Sequence, residues 1–488
     1  MSQSKTSTKQ PQSRQSSRRK QPRKVPDAQP RIPKRGGDAT APGTPAATTT
    51  ALVVVHPHAA AIDVHSDNHV VCVGPGQVQT FGAYTCDLEA IANHLSGHGV
   101  TTLVLESTGV YWIALFELLE ARGFEVFLVE PSQARHCGAR PKTDVLDCQW
   151  LQRLHTFGLL RPSFRPPESV LALRGYWRER QLLVRYAASH VQHMQKALEQ
   201  MNVKLAEVTS DITGLTGTTI IEAILQGERD PQKLAALRHA RCAKTQAEYA
   251  KALAGTWRPE HLFALKQASA LYRFLHQQIA DCDEQMRKEL ERLPNRAGAK
   301  PFQARERGRG YKSNDVRFDA APALFGALGV DLTLIDGIDV GTALVILSEI
   351  GVDVSRFPTE KHFASWLRLC PHFEESNATR KKVRKRKGRN RVAQALRMAA
   401  QSVSRMQIPL GAFYHRMRSR LGGKAAITAT AHKLALLVYR LLKNGVEYVR
   451  QSMEAYAAKV REQAERSLRR KAALLGYDLV PQPTAAAT

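Results

Sequence analysis

The stretch Ala61-Ile62-Asp63-Val64-His65-Ser66-Asp67-Asn68-His69-Val70-Val71-Cys72-Val73 decides how the first half of the chain is read. Val53 to Val64 is rich in β-formers, Ser66-Asp67-Asn68 is a turn, and His69 to Val73 is a second strand. Gly74-Pro75-Gly76 turns the chain into a third strand, Gln77 to Tyr84. Further out, the pattern predicts a helix over 87–97, a buried strand at 101–105, a helix from Tyr111 to Arg122 and a strand from Glu125 to Val129. Another helix begins in Lys142-Thr143-Asp144-Val145-Leu146-Asp147. The order β-β-β-α-β-α-β-α predicts a mixed sheet with helices packed on it.

Asp63 breaks the apolar character of the first strand. A charge inside such a strand is costly to bury unless it is paired or holds a metal. Glu106 ends the central strand, in Val104-Leu105-Glu106-Ser107-Thr108-Gly109, and sites in sheets of this type gather at the carboxyl ends of strands. Asp144 and Asp147 are three residues apart on a helix, so both project from one face. By themselves they read first as ordinary acids at a helix N-terminus, where the dipole favours negative charge. If the first and fourth strands are neighbours, Asp63 and Glu106 converge at one edge, and the helix can close the group. Four carboxylates so placed suit a pair of hard cations bound through oxygen ligands. Two such ions about 4 Å apart clamp the attacking and leaving oxygens of a phosphoryl transfer. This is an RNase H-like nuclease arrangement.

The 488 residues exceed one core, so two or three folded units are expected. A net charge of +27 points to a partner rich in phosphate rather than a small neutral substrate. Seven scattered cysteines, at 72, 86, 137, 148, 242, 282 and 370, form no C-x-x-C pair, which argues for reduced thiols and against a zinc ribbon. No apolar run is read as a membrane span and no signal peptide is expected, so no membrane partner is expected either. Residues 1–50 read as a disordered basic tail. The sheet and its helices make an α/β domain over 51–165. Helical periodicity through Leu183, Ala187, His190, Met194, Ala197, Met201 and Leu205 is repeated at Ala268, Tyr272, Leu275, Ile279, Cys282, Met286 and Leu290. It marks 166–293 as a coiled-coil or dimerisation region, with Thr209 to Thr219 as a loop. A basic linker follows at 294–330.

The mainly α C-terminal domain is expected over 331–450, with an amphipathic helix and a disordered end over 451–488. Leu334 to Ala343, with Gly337 and Gly341, leads into an apolar helix and looks like a helix-hairpin-helix. Asp339 stands where such hairpins usually have a second Gly, so a packing role is an equal reading. Cys370-Pro371-His372-Phe373-Glu374-Glu375-Ser376 then runs into Arg380, Lys381, Lys382, Arg384, Lys385, Arg386, Lys387, Arg389 and Arg391. Fixed to a folded domain, these cations suit a backbone-phosphate surface with salt-dependent affinity. Ser376 reads as a turn former. Beside so many cations its hydroxyl is also placed to attack a phosphodiester.

In combination these features resemble the DEDD transposases of bacterial insertion sequences, the "IS one-ten" family and its "eleven-eleven" branch. The resemblance rests on Ala61-Ile62-Asp63-Val64-His65, on Leu105-Glu106-Ser107-Thr108-Gly109-Val110-Tyr111-Trp112 and on Lys142 to Asp147. It continues through Ile335 to Gly351, Phe357-Pro358, Cys370-Pro371 to Ser376, Gly388-Arg389-Asn390-Arg391 and Ala431-His432-Lys433-Leu434. It implies a RuvC-like domain followed by a transposase domain, and a recombinase that excises and inserts its own element. It further implies magnesium held by Asp63, Glu106, Asp144 and Asp147, and Ser376 as a nucleophile forming a 5′-phosphoserine link to DNA. The implied partners are DNA, a structured "bridge" guide RNA and further copies of the chain as a dimer or tetramer, in the bacterial cytoplasm at the nucleoid. The family often has Ser-Gly-Gly-Lys where this chain reads Ser376-Asn377-Ala378-Thr379.

Two other readings compete. A junction nuclease of RuvC type would use metal-activated water alone and leave Ser376 without a role. A non-catalytic nucleic-acid-binding protein would carry the same basic run, with the acids serving only structure.

Overall fold

The computed structural model describes residues 52–107, 109–135, 143–303, 314–371, 373–376, 379–382, 390–445, 458, 461–462 and 465–478. The basic tail of 1–50 lies outside them. The chain forms two compact units, residues 1–163 and 164–488.

The first unit is built on a five-stranded sheet of β1 (Ala59–Val64), β2 (Asn68–Gly74), β3 (Gln77–Gly82), β4 (Thr102–Glu106) and β5 (Glu125–Val129), in the order β3-β2-β1-β4-β5. β1 runs antiparallel to β2 and parallel to β4, and β4 runs parallel to β5. With neighbours on both sides and both faces covered, every residue of β1 is buried. Strand alternation then divides the side chains between two cores. Ile62, Val64, Leu103 and Leu105 face α1 (Thr85–Gly97) and α2 (Trp112–Ala121), meeting Ile91, Leu95, Leu115 and Leu119. Ala61, Val70, Cys72, Val104 and Val129 face the other way. After the short α3 (Pro131–Arg135) they meet Cys148, Leu151 and Leu154 of α4 (Asp144–Thr156).

The first strand is shorter than its composition suggests. Val53 to Val55 are β-branched but exposed, and Val55 and His56 donate their N–H groups to Thr156 O at the end of α4. Pro57 has no N–H to offer a ladder, so the strand begins two residues later.

The second unit opens with α5 (Leu171–Gln200), continues through α6 (Leu205–Val208), α7 (Leu215–Leu225), α8 (Pro231–Ala236) and α9 (Gln246–Leu253), and returns along α10 (Pro259–Arg292). α5 and α10 pack together within one chain. Trp177 shares a core with Met286 and Leu290, Ala187 with Leu275 and Ile279, and Met194 with Leu265 and Ala268. This pairing is antiparallel, and it occupies much of the helical seam expected for a coiled coil. The stretch expected to loop, 209–219, contains the start of α7. Gly217 is there for closeness: a Cβ would lie 2.3 Å from Ile212 O.

The remainder comprises α11 (Ala320–Leu328), α12 (Val340–Ile350), α13 (Glu360–Trp366), the hairpin β6 (Phe373–Ser376) and β7 (Thr379–Lys382), α14 (Arg391–Val403), α15 (Pro409–Leu421) and α16 (Gly423–Asn444). In the turn before α12, Gly337 has φ +89°, and a Cβ would lie 2.4 Å from Val403 Cγ2. Asp339 caps α12, accepting from Thr342 N at 2.9 Å and Thr342 Oγ1 at 2.8 Å. Its carboxylate therefore occupies the helix end that a hairpin of this kind would offer to a phosphate. α16 is long and apolar enough to cross a membrane by length and composition, against the expectation of no such run. However, Ala426, Ala431, Leu434, Val438 and Leu441 on it are buried in the unit's own core, as in the core helix of a folded domain.

One buried ion pair ties α5 to α10. Arg180 Nε donates to Asp283 Oδ1 at 2.5 Å, and its Nη2 donates to Asp315 O at 2.9 Å. Arg317 N donates to Asp283 Oδ2 at 3.2 Å. With both side chains almost wholly enclosed, removing one partner strands the other charge. Asp283→Ala is expected to destabilise this unit by about 3–5 kcal/mol, read as a lower midpoint in urea unfolding.

Candidate active site

Ile62 is paired with Leu105 across the parallel strands β1 and β4. Asp63 and Glu106, each one residue further along, therefore stand side by side at the carboxyl edge of the sheet. Both fall on the face of Ala61 and Val104, which is the face that α4 covers. Asp63 is 7% exposed.

α4 is positioned by polar contacts to β1, β2 and β4. Cys148 Sγ donates to Val70 O at 3.0 Å and lies 3.3 Å from Ala61 O. Gln152 Nε2 donates to Ala59 O at 3.0 Å, and His155 Nε2 lies 3.0 Å from Thr102 Oγ1. Moving along the helix thus moves backward along β1, so the N-terminus of α4 lies at the strand's carboxyl end. Burial pushes the Cys148 thiol up, which keeps it a neutral donor. Burial, helped by His56, pulls His155 down to about 4, so its ring is uncharged at neutral pH. Thr143 caps the helix by accepting from Leu146 N at 3.3 Å. Asp144 and Asp147 fill the first turn.

The site therefore holds three elements against one another: the end of β1, the end of β4 and the first turn of α4. Carboxylate oxygens of Asp63 and Asp144 and a ring nitrogen of His65 lie within 4.8 Å of one another. Burial raises the Asp63 carboxyl above its usual range. His65 opposes that shift, while Asp144 and Asp147 add to it. Glu106 shares the edge by register, but its carboxylate is not within that 4.8 Å set. The Nε2 atom of His65 is buried and makes no hydrogen bond. Repelling carboxylates with an unpartnered nitrogen among them fit a divalent cation.

The other expected residues lie in the second unit. Ser376 ends β6 and is paired with Thr379 in the β6–β7 hairpin. Arg380, Lys381 and Lys382 lie on β7. Arg384, Lys385, Arg386, Lys387 and Arg389 lie outside the described residues, as does Lys142. Arg391 opens α14 behind the N-cap Asn390. Its Nε is 3.6 Å from Oε1 of Glu349, a buried carboxylate of α12. Arg178 grips the same carboxylate at 2.9 and 2.7 Å, and Arg174 at 3.2 Å.

Sequence reasoning missed His65, and it missed Glu349 with Arg174 and Arg178, which gather beside Arg391. His65 was legible through strand alternation, because it is two residues beyond Asp63. The Glu349 cluster draws on α5, α12 and α14, and no local pattern joins positions so far apart.

The raised Asp63 carboxyl has a consequence for stability. A carboxyl whose folded pKa exceeds its unfolded one favours folding when protonated, and that contribution is lost as pH rises through the folded value. Asp63→Asn is therefore expected to raise the melting temperature of the metal-free protein at pH 7. The difference should vanish below the ordinary carboxyl range, near pH 3 (about one unit under the usual Asp value). Added Mg2+ or Mn2+ should stabilise the wild-type chain and not the variant, as scanning fluorimetry would record.

Residues 60–203, which contain the sheet and its acids, match the family model DEDD_Tnp_IS110, a transposase. Residues 331–415, which contain α12, the β6–β7 hairpin and α14, match the model described as Transposase IS116/IS110/IS902 family. No curated protein matches the chain significantly. DEDD transposases use divalent metal, in keeping with the acid cluster on β1 and α4. Together the two matches mark the chain as an enzyme acting on DNA, a transposase similar to those of the IS110 type.

Proposed function

We propose that the chain cuts and rejoins DNA to excise and insert a bacterial insertion sequence, with Asp63, Glu106, Asp144 and Asp147 as its metal-holding tetrad. The observation that carries this reading is the β1–β4 register, which sets Asp63 beside Glu106 on the face where α4 delivers Asp144 and Asp147. The strand order β3-β2-β1-β4-β5, with the acids at the carboxyl edge, supports an RNase H/RuvC-like fold for the first unit. Magnesium or manganese held there would stabilise the negative charge that develops on a phosphate under attack.

Ser376 is the nucleophile in this reading. Its Oγ forms a bond to a backbone phosphorus, the bond to the 3′ oxygen breaks, and the proton lost by the serine passes through solvent to the departing 3′ oxygen. The product is a 5′-phosphoserine link and a free 3′-hydroxyl, and attack by another 3′-hydroxyl reverses the step and rejoins the strand. Arg380, Lys381, Lys382, Arg384, Lys385, Arg386, Lys387, Arg389 and Arg391 hold the DNA backbone through its phosphates. A bridge RNA supplies the choice of target, and the active form is a dimer or tetramer. These two points rest on the family resemblance.

The test is cleavage and strand exchange on DNA carrying the element's ends. Alanine at Asp63, Glu106, Asp144 or Asp147 is expected to reduce strand cleavage by at least about 100-fold. Ser376→Ala should abolish both strand exchange and the covalent protein–DNA adduct seen on denaturing gels. Cleavage that survives in Ser376→Ala with no adduct in the wild type would leave a water-using junction nuclease instead. Nucleic-acid binding with no cleavage by the wild-type chain would leave a binding protein.

A further inference from the structure

His65 has no part in the four-carboxylate scheme, yet its ring stands beside two of the four, Asp63 and Asp144. It follows β1 by one residue and shares the parity of Asp63, so its ring rises on the α4 side of the sheet. Its backbone N–H is fixed by Asn68 O at 3.1 Å, which anchors the root of the side chain in the β1–β2 turn. Nε2 stands 3.4 Å from Asp63 Oδ2 and 3.8 Å from Asp144 Oδ1. It therefore lies beside two carboxylates and hydrogen-bonds to neither.

A ring nitrogen so placed can act as a protonated counter-ion or offer a lone pair to a metal. A charge-assisted hydrogen bond from an imidazolium would draw the atoms to about 2.7–2.9 Å. Two atoms ligating one small cation are spaced differently. At about 2.1 Å from the ion and roughly a right to a tetrahedral angle apart, they stand about 3.0–3.4 Å from each other. The Asp63–His65 spacing has the second value. Asp144, on an exposed first turn, has only a few tenths of an ångström to close.

We propose that His65 Nε2 is a ligand of the divalent ion held by Asp63 and Asp144, which makes this a mixed nitrogen and oxygen site. Imidazole suits borderline transition metals better than it suits magnesium, so the site takes Mn2+ or Co2+ in preference to Mg2+ more strongly than carboxylates alone would. The inference rests on the metal-site reading above and adds a ligand to it.

Pulsed electron paramagnetic resonance of the full chain loaded with Mn2+ reads the ligand directly, through the hyperfine coupling of a bonded 14N. The wild type is expected to show imidazole nitrogen coupling. His65→Ala should lose the coupling while still binding Mn2+, with affinity for Mn2+ lowered about tenfold and that for Mg2+ changed much less. His65→Gln, which returns an oxygen donor, should bind Mn2+ without nitrogen coupling and serves if the alanine variant does not fold. Bound Mn2+ without nitrogen coupling in the wild type, or coupling that persists in either variant, overturns the assignment of His65. Mn2+ binding that survives Asp63→Ala, or no binding by the wild type, overturns the metal site itself.

Discussion

A carboxylate buried in the central strand of a sheet sets the terms for the first unit. Asp63 is enclosed by β2, β4 and α4, and burial alone disfavours its charge. Asp144 and Asp147 approach from α4 and disfavour it further. Such a grouping persists only if the surrounding packing holds it or a cation compensates it. The packing is visible. Ala59, Ala60 and Ala61 keep β1 slender, and the polar side chains of Cys148, Gln152 and His155 hold α4 to the strand edges. The helix is attached along its length, so its first turn cannot retreat from Asp63 without losing contacts at its other end.

The same arrangement explains why neutral anchors serve better than charged ones. Cys148 is next to Asp147 in the chain and close to Asp63 in space, and its thiol is kept protonated by its surroundings. A thiolate there would add another negative charge to an acid-rich corner and would give up the donor that reaches Val70 O. His155 is likewise uncharged at neutral pH and lies at the far end of the helix, stacked on His56 at 4.7 Å.

The succession of strands and helices along the first unit is legible because it is written locally. Alternating β-formers with polar turns give the strands, and an aspartate in an apolar strand is conspicuous. What was not legible depended on contacts made at a distance. The strand predicted from Val53 begins at Ala59, because Val55 and His56 give their donors to α4 rather than to a neighbouring strand. The first residues of α7 fall in the stretch expected to loop because Gly214 and Gly217 resemble turn residues, whereas Gly217 lets Ile212 approach closely. Most of the periodic positions expected to form a seam fall on α5 and α10. Periodicity alone does not say whether the partner helix is in another chain or further along the same one, and here α5 and α10 meet within one chain.

The two units carry opposite charge problems. In the first, carboxylates crowd a sheet edge and call for cations. In the second, Glu349 gathers Arg174, Arg178 and Arg391, so one buried carboxylate answers three guanidiniums. Positive charge is left in surplus at this cluster, where Arg178 and Arg391 keep about two-fifths of their side-chain surface open to solvent (39% and 43%). Glu349 holds these guanidiniums in place without neutralising them, which lowers the entropy cost of meeting an anion. In the proposed function, a phosphodiester would answer the guanidiniums around Glu349 and a divalent ion would answer the carboxylates around Asp63. A small neutral substrate would supply neither charge.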